Sequence, residues 1–162
     1  MGILDNKVAV VTGVGSGIGK AISMAFADEG ASLGVGDISE DLLSKTTKDL
    51  KNKSTNITSI TTDVSSEEEV KKLIDETVNA YGKLDIIVNN VSVAIGGYPI
   101  TDMSNEDWQK IIGINFSSVF YGCKHSIPYL KKNNGGSIIN IASVQAHNPL
   151  PGWAAYAGIK GG

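Results

Sequence analysis

Apolar positions along this chain change period several times, from unbroken β-branched runs to steps of three and four residues. Residues 7–12 form a continuous apolar, β-branched run, which predicts a buried strand. Glycine-rich punctuation follows, and Ile18, Ile22 and Phe26 then recur at helical spacing until Gly30 stops the helix. A second strand is predicted over residues 32–37. Ser39 comes next as an N-cap, with Glu40 and Asp41 in the first turn of a helix that reaches about Lys51. Residues 57–62 predict a third strand, and Ser65 and Ser66 stand before Glu68 and Glu69 as capping-box candidates. In the helix they open, Val70, Leu73, Ile74, Thr77 and Tyr81 share a face while Lys71, Lys72, Asp75 and Glu76 point away. Residues 84–88 predict a fourth strand. Beyond Gly96 and Gly97, Ser104 opens a long helical stretch to about Lys132, with a break expected near Gly113. Residues 137–141 predict a fifth strand, and residues 153–160 read as a last helix.

Strands alternating with helices imply right-handed crossovers, hence an α/β fold with a parallel sheet covered on both faces. Its 162 residues suit one domain, with 41% hydrophobic and 6% aromatic residues, enough to build a core. Fourteen Lys and Arg against 17 Asp and Glu give a net charge of −3 with the signs interspersed, which argues against nucleic acid as a partner. The single Cys123 permits no internal disulfide and lies in the apolar segment Val119-Phe120-Tyr121-Gly122-Cys123, so a buried, inert thiol is expected. No long apolar segment follows a basic start, so neither a signal peptide nor a membrane span is expected, and the protein reads as cytoplasmic. The sequons at Asn52, Asn56 and Asn115 are then chance matches. The chain stops just inside its last helix, so it reads as a domain cut short, with the fifth strand left as an unpaired, apolar edge.

Chemistry enters at the first turn. Thr12-Gly13-Val14-Gly15-Ser16-Gly17-Ile18-Gly19 lies where the first strand passes into its helix, the position from which helix N–H groups and the macrodipole can hold a pyrophosphate. Glycine permits positive φ there and lets phosphate oxygens approach the backbone. The spacing is G-x-x-x-G-x-G, because Ile18 occupies the last glycine of the general G-x-G-x-x-G fingerprint. A glycine-rich loop without a ligand is the alternative reading. Asp37 closes the second strand 18 residues after Gly19, where a carboxylate can accept from adenosine ribose hydroxyls and repel a 2′-phosphate, favouring NAD over NADP; a solvated turn aspartate is the alternative.

Tyr156 and Lys160 are four apart in the last helix, so they project from one face. A free phenol ionises near about pH 10, and a neighbouring ammonium favours its phenolate. In chain order stand Thr12-Gly13-x-x-x-Gly17-Ile18-Gly19, Asp63-Val64, Asn89-Asn90, Asn115, Ser143 and Tyr156-x-x-x-Lys160. This series closely resembles the short-chain dehydrogenase/reductase family, over essentially the whole chain.

The resemblance implies a Rossmann-like doubly wound sheet of about five strands in the order 3-2-1-4-5, within an NAD(P)-binding domain that spans residues 1–162 and is incomplete at its C-terminus. It implies an oxidoreductase that interconverts a secondary alcohol and a ketone. Tyr156 would be the general acid/base, Ser143 would position and polarise the substrate oxygen, and Lys160 would hold the nicotinamide ribose and ease ionisation of the phenol. Asn115 would anchor a water chain for the proton. Gly13, Ser16, Gly17, Ile18, Gly19, Asp37, Asp63, Val64 and Asn90 would bind the cofactor together with Tyr156 and Lys160, with Asp63 and Val64 flanking the adenine. Asn89 reads as structural. The family's N-N-A-G is here Asn89-Asn90-Val91-Ser92, a departure at a place where backbone packs near the nicotinamide. His125 and His147 have no partners at metal-ligand spacing, so no metal is expected. Gln145, His147 and Trp153 border the expected pocket. Homodimers or tetramers are implied, formed through the long helix after the fourth strand and the helix carrying Tyr156. A catalytically silent dinucleotide-binding fragment and another nucleotide user on the same fold, such as a methyltransferase, are the rival readings.

Overall fold

The structure is a computed structural model and describes residues 2–53 and 56–162. Its strands are β1 (Val8–Thr12), β2 (Ser32–Asp37), β3 (Ile57–Thr61), β4 (Ile86–Asn89) and β5 (Ser137–Asn140). They form one parallel sheet in the order β3-β2-β1-β4-β5. The helices are α1 (Gly17–Asp28), α2 (Glu40–Lys51), α3 (Glu67–Tyr81), α4 (Asn105–Ile112), α5 (Ser118–Lys132) and α6 (Ala154–Gly161).

Every residue of β1 is buried, as expected of a central strand covered on both faces. Alternation divides its side chains between two cores. Ala9 and Val11 pack with Leu33, Val35, Leu43 and Leu50 beneath α1 and α2. Val10 packs with Leu73, Ile74, Leu84, Ile87 and Leu130 beneath α3 and α5. Gly34 and Gly36 of β2 let α3 approach, since a Cβ on either would strike Thr77 or Leu73. β5 is an edge strand in the described sheet, and all four of its residues are exposed.

Four local expectations are corrected. Ladder pairing of β4 begins at Ile86, not residue 84. The stretch from α4 to α5 does not break at Gly113; a π-helical turn, Gly113–Ser117, joins the two helices. Ser66 alone is the N-cap of α3, accepting from Glu69 N, while the Glu69 carboxylate reaches past it to the Asp63 N–H. Asp75 does not simply point away: it accepts from Tyr129 Oη on α5 at 2.8 Å and also pairs with Lys71.

Candidate active site

The chain leaves the carboxyl ends of β1, β2, β3, β4 and β5 through the candidate residues at one end of the sheet, the usual place for a ligand crevice in this topology. In the turn after β1, Gly13 (φ 71°) and Gly17 (φ 54°) adopt left-handed conformations that other residues rarely take. Gly19 meets a different demand: a Cβ there would strike the Gly13 carbonyl, so this glycine lets α1 pack on the turn. A Cβ on Gly17 would meet nothing within 4 Å. Ser16, the exposed N-cap of α1, makes no side-chain cap bond, so the first N–H groups of α1 carry no side-chain cap. Ile18 is 60% exposed and takes no part in the core face of α1, which Ile22 and Phe26 serve.

Asp37 stands beside this turn. Its Oδ2 accepts from Gly15 N at 2.7 Å and its Oδ1 from Ser39 N at 2.9 Å, so the carboxylate ties the glycine turn to the start of α2. Asp63 uses Oδ1 to accept from both Ser65 N (2.9 Å) and Ser65 Oγ (2.7 Å). Val64 is buried in the core with Val70 and Leu73.

After β4, Asn90 donates from Nδ2 to the carbonyls of Thr12 (2.9 Å) and Gly13 (3.2 Å), and its N–H donates to Thr12 Oγ1. It clamps the glycine turn from beneath. Asn89 is structural: Nδ2 donates to Asn140 Oδ1 across the β4–β5 pair, and the side chain lies over Gly122 of α5. Val91, where the family has alanine, packs against Gly13.

The π-helical turn between α4 and α5 carries Asn115 into the interior. Its amide accepts from Val93 N and donates to Val93 O, both at 2.8 Å, bracketing one residue of the segment after β4. Ser143 lies just beyond β5, where its hydroxyl oxygen accepts from Gln145 N at 3.2 Å and keeps its own proton to donate. On α6, half-buried Lys160 donates from Nζ to the Ile141 carbonyl at 2.8 Å, so the ammonium is tied to the chain two residues before Ser143. Burial pushes its pKa below the usual lysine range, and the neighbouring Tyr156 partly opposes that shift. The fold therefore brings Tyr156, Lys160 and the approach to Ser143 together. His147 is exposed. Cys123 is half-buried rather than buried, and its burial raises the thiol pKa, as an unreactive cysteine requires. Among the described residues no three His, Cys, Asp or Glu side chains gather as a metal site, and no helix is long and apolar enough to cross a membrane.

Pattern reading missed the seam between segments 90–99 and 147–153. Gly97 N donates to Gly152 O at 2.9 Å, and the Trp153 ring lies over Gly96. The three glycines were visible in the sequence, but nothing in it paired them.

The sequence pattern that defines the short chain dehydrogenase family matches residues 7–162. The chain belongs to that family. It is 34% identical to the 3-oxoacyl-[acyl-carrier-protein] reductase of Thermotoga maritima, over 98% of this chain and 64% of the reductase. A short chain dehydrogenase/reductase from Burkholderia phymatum, solved in complex with NAD, superposes with a TM-score of 0.94 at 33% identity, covering 99% of this chain and 57% of that one. A 7α-hydroxysteroid dehydrogenase complexed with NADH and 7-oxo glycochenodeoxycholic acid gives 0.92 at 34% identity, covering 98% and 61%. This short-chain dehydrogenase domain thus spans roughly three-fifths of the length of the relatives it matches, and it shares with them the five-stranded Rossmann-like sheet.

Proposed function

We propose that this protein is an NAD-dependent oxidoreductase that interconverts a secondary alcohol and a ketone, with Tyr156 as general acid/base. The observation that carries the reading is the pairing on α6 of Tyr156 with Lys160, whose ammonium is held at 2.8 Å by the Ile141 carbonyl beside Ser143. Relatives solved with NAD and NADH support the cofactor.

The glycine turn fits a pyrophosphate. Open space above Gly17, the left-handed φ at Gly13 and Gly17, and the absence of a side-chain cap on α1 leave backbone donors for phosphate oxygens. Ser16, Ile18 and Gly19 would complete that contact, and Asn90 holds the turn in shape. Asp37 would accept from the adenosine ribose hydroxyls and repel a 2′-phosphate, which favours NAD over NADP. Asp63 and Val64 would bound the adenine, Val64 through its main chain because its side chain belongs to the core.

The nicotinamide, when bound, supplies or accepts the hydride. Ser143 would donate its remaining proton to the substrate oxygen, and Tyr156 would deliver or remove the reacting proton at that same oxygen. Lys160 would hold the nicotinamide ribose hydroxyls and stabilise charge developing on the phenol oxygen. Asn115 would anchor the path by which the proton is exchanged with solvent. Its bonds to Val93 use one lone pair and one N–H of the amide, so one of each is left for water.

The substrate is a small molecule carrying an alcohol or ketone. The single cysteine suits a reducing, cytoplasmic setting. Homo-oligomers form through an apolar face on α4 and α5, where Trp108 and Phe116 border a cavity of about 500 Å³ shared with Ala155 and Ile159 of α6. A second reading is a dinucleotide-binding domain without turnover, in which the glycine turn and Asp37 would hold the cofactor and the α6 pair would be idle. Calorimetry with NADH and assays of ketone reduction separate the two. Turnover that falls by about 10²–10⁴-fold in Tyr156→Phe with NADH affinity retained supports the enzyme; binding with no turnover of any ketone favours the second reading.

A further inference from the structure

Trp153 immediately precedes α6, three residues before Tyr156 and so on the same side of the helix. Its indole meets the phenol edge-on, with ring centroids 6.0 Å apart and planes inclined at 78°, a favoured arrangement for an aromatic pair. The indole also lies against the segment that follows β4. A Cβ at Gly96 would stand 2.9 Å from Trp153 Cε3, so only glycine leaves room for the ring. The neighbouring bond from Gly97 N to Gly152 O, at 2.9 Å, fixes that segment to the residue before Trp153. The same segment is held further back by Asn115 through Val93 and by Asn90 through the glycine turn.

We infer that Trp153 is a positioning residue for the reaction: wedged between Gly96 and Tyr156, its indole fixes the direction of the phenol and links it to the segment after β4. The inference rests on the reading of Tyr156 as acid/base. A tyrosine oxygen sits at the end of a long lever with two rotatable bonds, so a small rotation carries it away from the substrate oxygen. Misplacement by about an ångström costs on the order of 10²-fold in rate. Lys160 constrains the phenol from one turn later on α6, and Trp153 constrains it from one turn earlier. Tyr156 is thus bracketed along the helix.

Two measurements test this, one of which needs no turnover. The sequence has two tryptophans, so Trp108→Phe leaves Trp153 as the sole indole fluorophore. Its emission moves to longer wavelength when Tyr156→Ala is added, because the indole loses the ring packed against it. Identical emission spectra with and without Tyr156→Ala overturn the contact and the inference with it. In ketone reduction with NADH, Trp153→Ala lowers kcat by about 10-fold or more with the KM for NADH within about twofold, and Trp153→Phe recovers most of the loss. Unchanged kcat in Trp153→Ala, beside an inactive Tyr156→Phe, overturns the positioning role and leaves the acid/base reading standing. An active Tyr156→Phe overturns that reading itself. Parallel loss of NADH affinity and far-ultraviolet circular dichroism in both Trp153 variants assigns the indole to folding alone and overturns the inference.

Discussion

Gly17 and Gly19 stand in one turn, yet a Cβ on Gly17 meets open space while one on Gly19 strikes the Gly13 carbonyl. Alanine at these positions therefore has different consequences. Gly19→Ala forces α1 away from the turn and costs about 1–3 kcal/mol of stability, as overpacking does elsewhere. Gly17→Ala costs about 1 kcal/mol for its left-handed φ, but it places a methyl group where phosphate oxygens are proposed to lie. Thermal melts and NADH calorimetry on both variants give the answer: a larger drop in Tm for Gly19→Ala, and a loss of affinity of at least about tenfold for Gly17→Ala with a smaller drop in Tm. Equal affinity in Gly17→Ala and the parent protein would remove the pyrophosphate from this turn. At this scale the sequence was informative about residue type and spacing, and silent about neighbours. The glycine spacing marked the turn, but which glycine packs against protein and which faces open space depends on α1 and Asn90, segments that meet only after folding. The same limit hid the Asn90 bonds to Thr12 and Gly13, and it hid Glu69 reaching Asp63 instead of closing a standard capping box.

Between elements, one carboxylate joins three of them at the opposite end of the sheet. Asp85, immediately before β4, accepts from the N–H of Val8 at the start of β1 (2.9 Å) and from Asn133 Nδ2 at the end of α5 (2.9 Å), and it pairs with Lys7 and Lys83. Burial pushes its pKa up, but the Val8 N–H, Lys83, Asn133 and Lys7 together outweigh it and hold the carboxyl below 3.8, the usual aspartate value. The unfolded chain then binds the proton more tightly than the folded one. Asp85 contributes stability at pH values above 3.8, and that contribution is lost as pH falls through the lower, folded-state value. Asp85→Asn accordingly destabilises the protein by about 2 kcal/mol at pH 7 and flattens the decline in stability below pH 4, measured by urea unfolding across pH. An unchanged acid limb would assign the decline to other carboxylates. Asp85 also explains why the fourth strand was misjudged at its start. Leu84 is fully buried, so an apolar run from 84 is visible in the sequence, but the residue pairing with β1 begins only at Ile86, opposite Ala9. Hydrophobic pattern reports burial, whereas ladder pairing depends on the partner strand. The π-helical turn escaped for a related reason: Gly113 marked an irregularity, and the extra residue that turns Asn115 inward leaves no trace in spacing.

For the molecule as a whole, a parallel sheet covered on both faces follows from alternating element types and its strand order from the family resemblance, but the outer surface of α4 and α5 follows from neither. Phe120 was read as part of the apolar segment that holds a buried Cys123. The fold instead turns Gly122 toward the sheet, where the Asn89 side chain leaves no room for a Cβ, and this rotates Phe120 outward. Trp108, Phe116, Phe120 and Ile127 are thereby 39%, 50%, 56% and 37% exposed along the α4–α5 rod, a large apolar stripe for a free surface. A two-fold axis through this rod would bury each of these side chains against the same stripe on a second copy. Any change there acts twice, because a two-fold contact repeats every residue. Covering a Phe side chain contributes about 1.5–3 kcal/mol, and a charge on it must also be desolvated, so Phe120→Glu costs about 3–6 kcal/mol per dimer. That corresponds to a rise in dimer dissociation constant of at least about 100-fold. Sedimentation velocity over a dilution series reads the outcome directly: the parent protein remains associated at micromolar concentration while Phe120→Glu sediments as a monomer with an unchanged circular dichroism spectrum. Phe120 lies on α5, remote in sequence from the pair on α6, so NADH affinity should hold while association is lost. A parent protein that is monomeric throughout the series would show that the α4–α5 stripe does not join two copies of this chain.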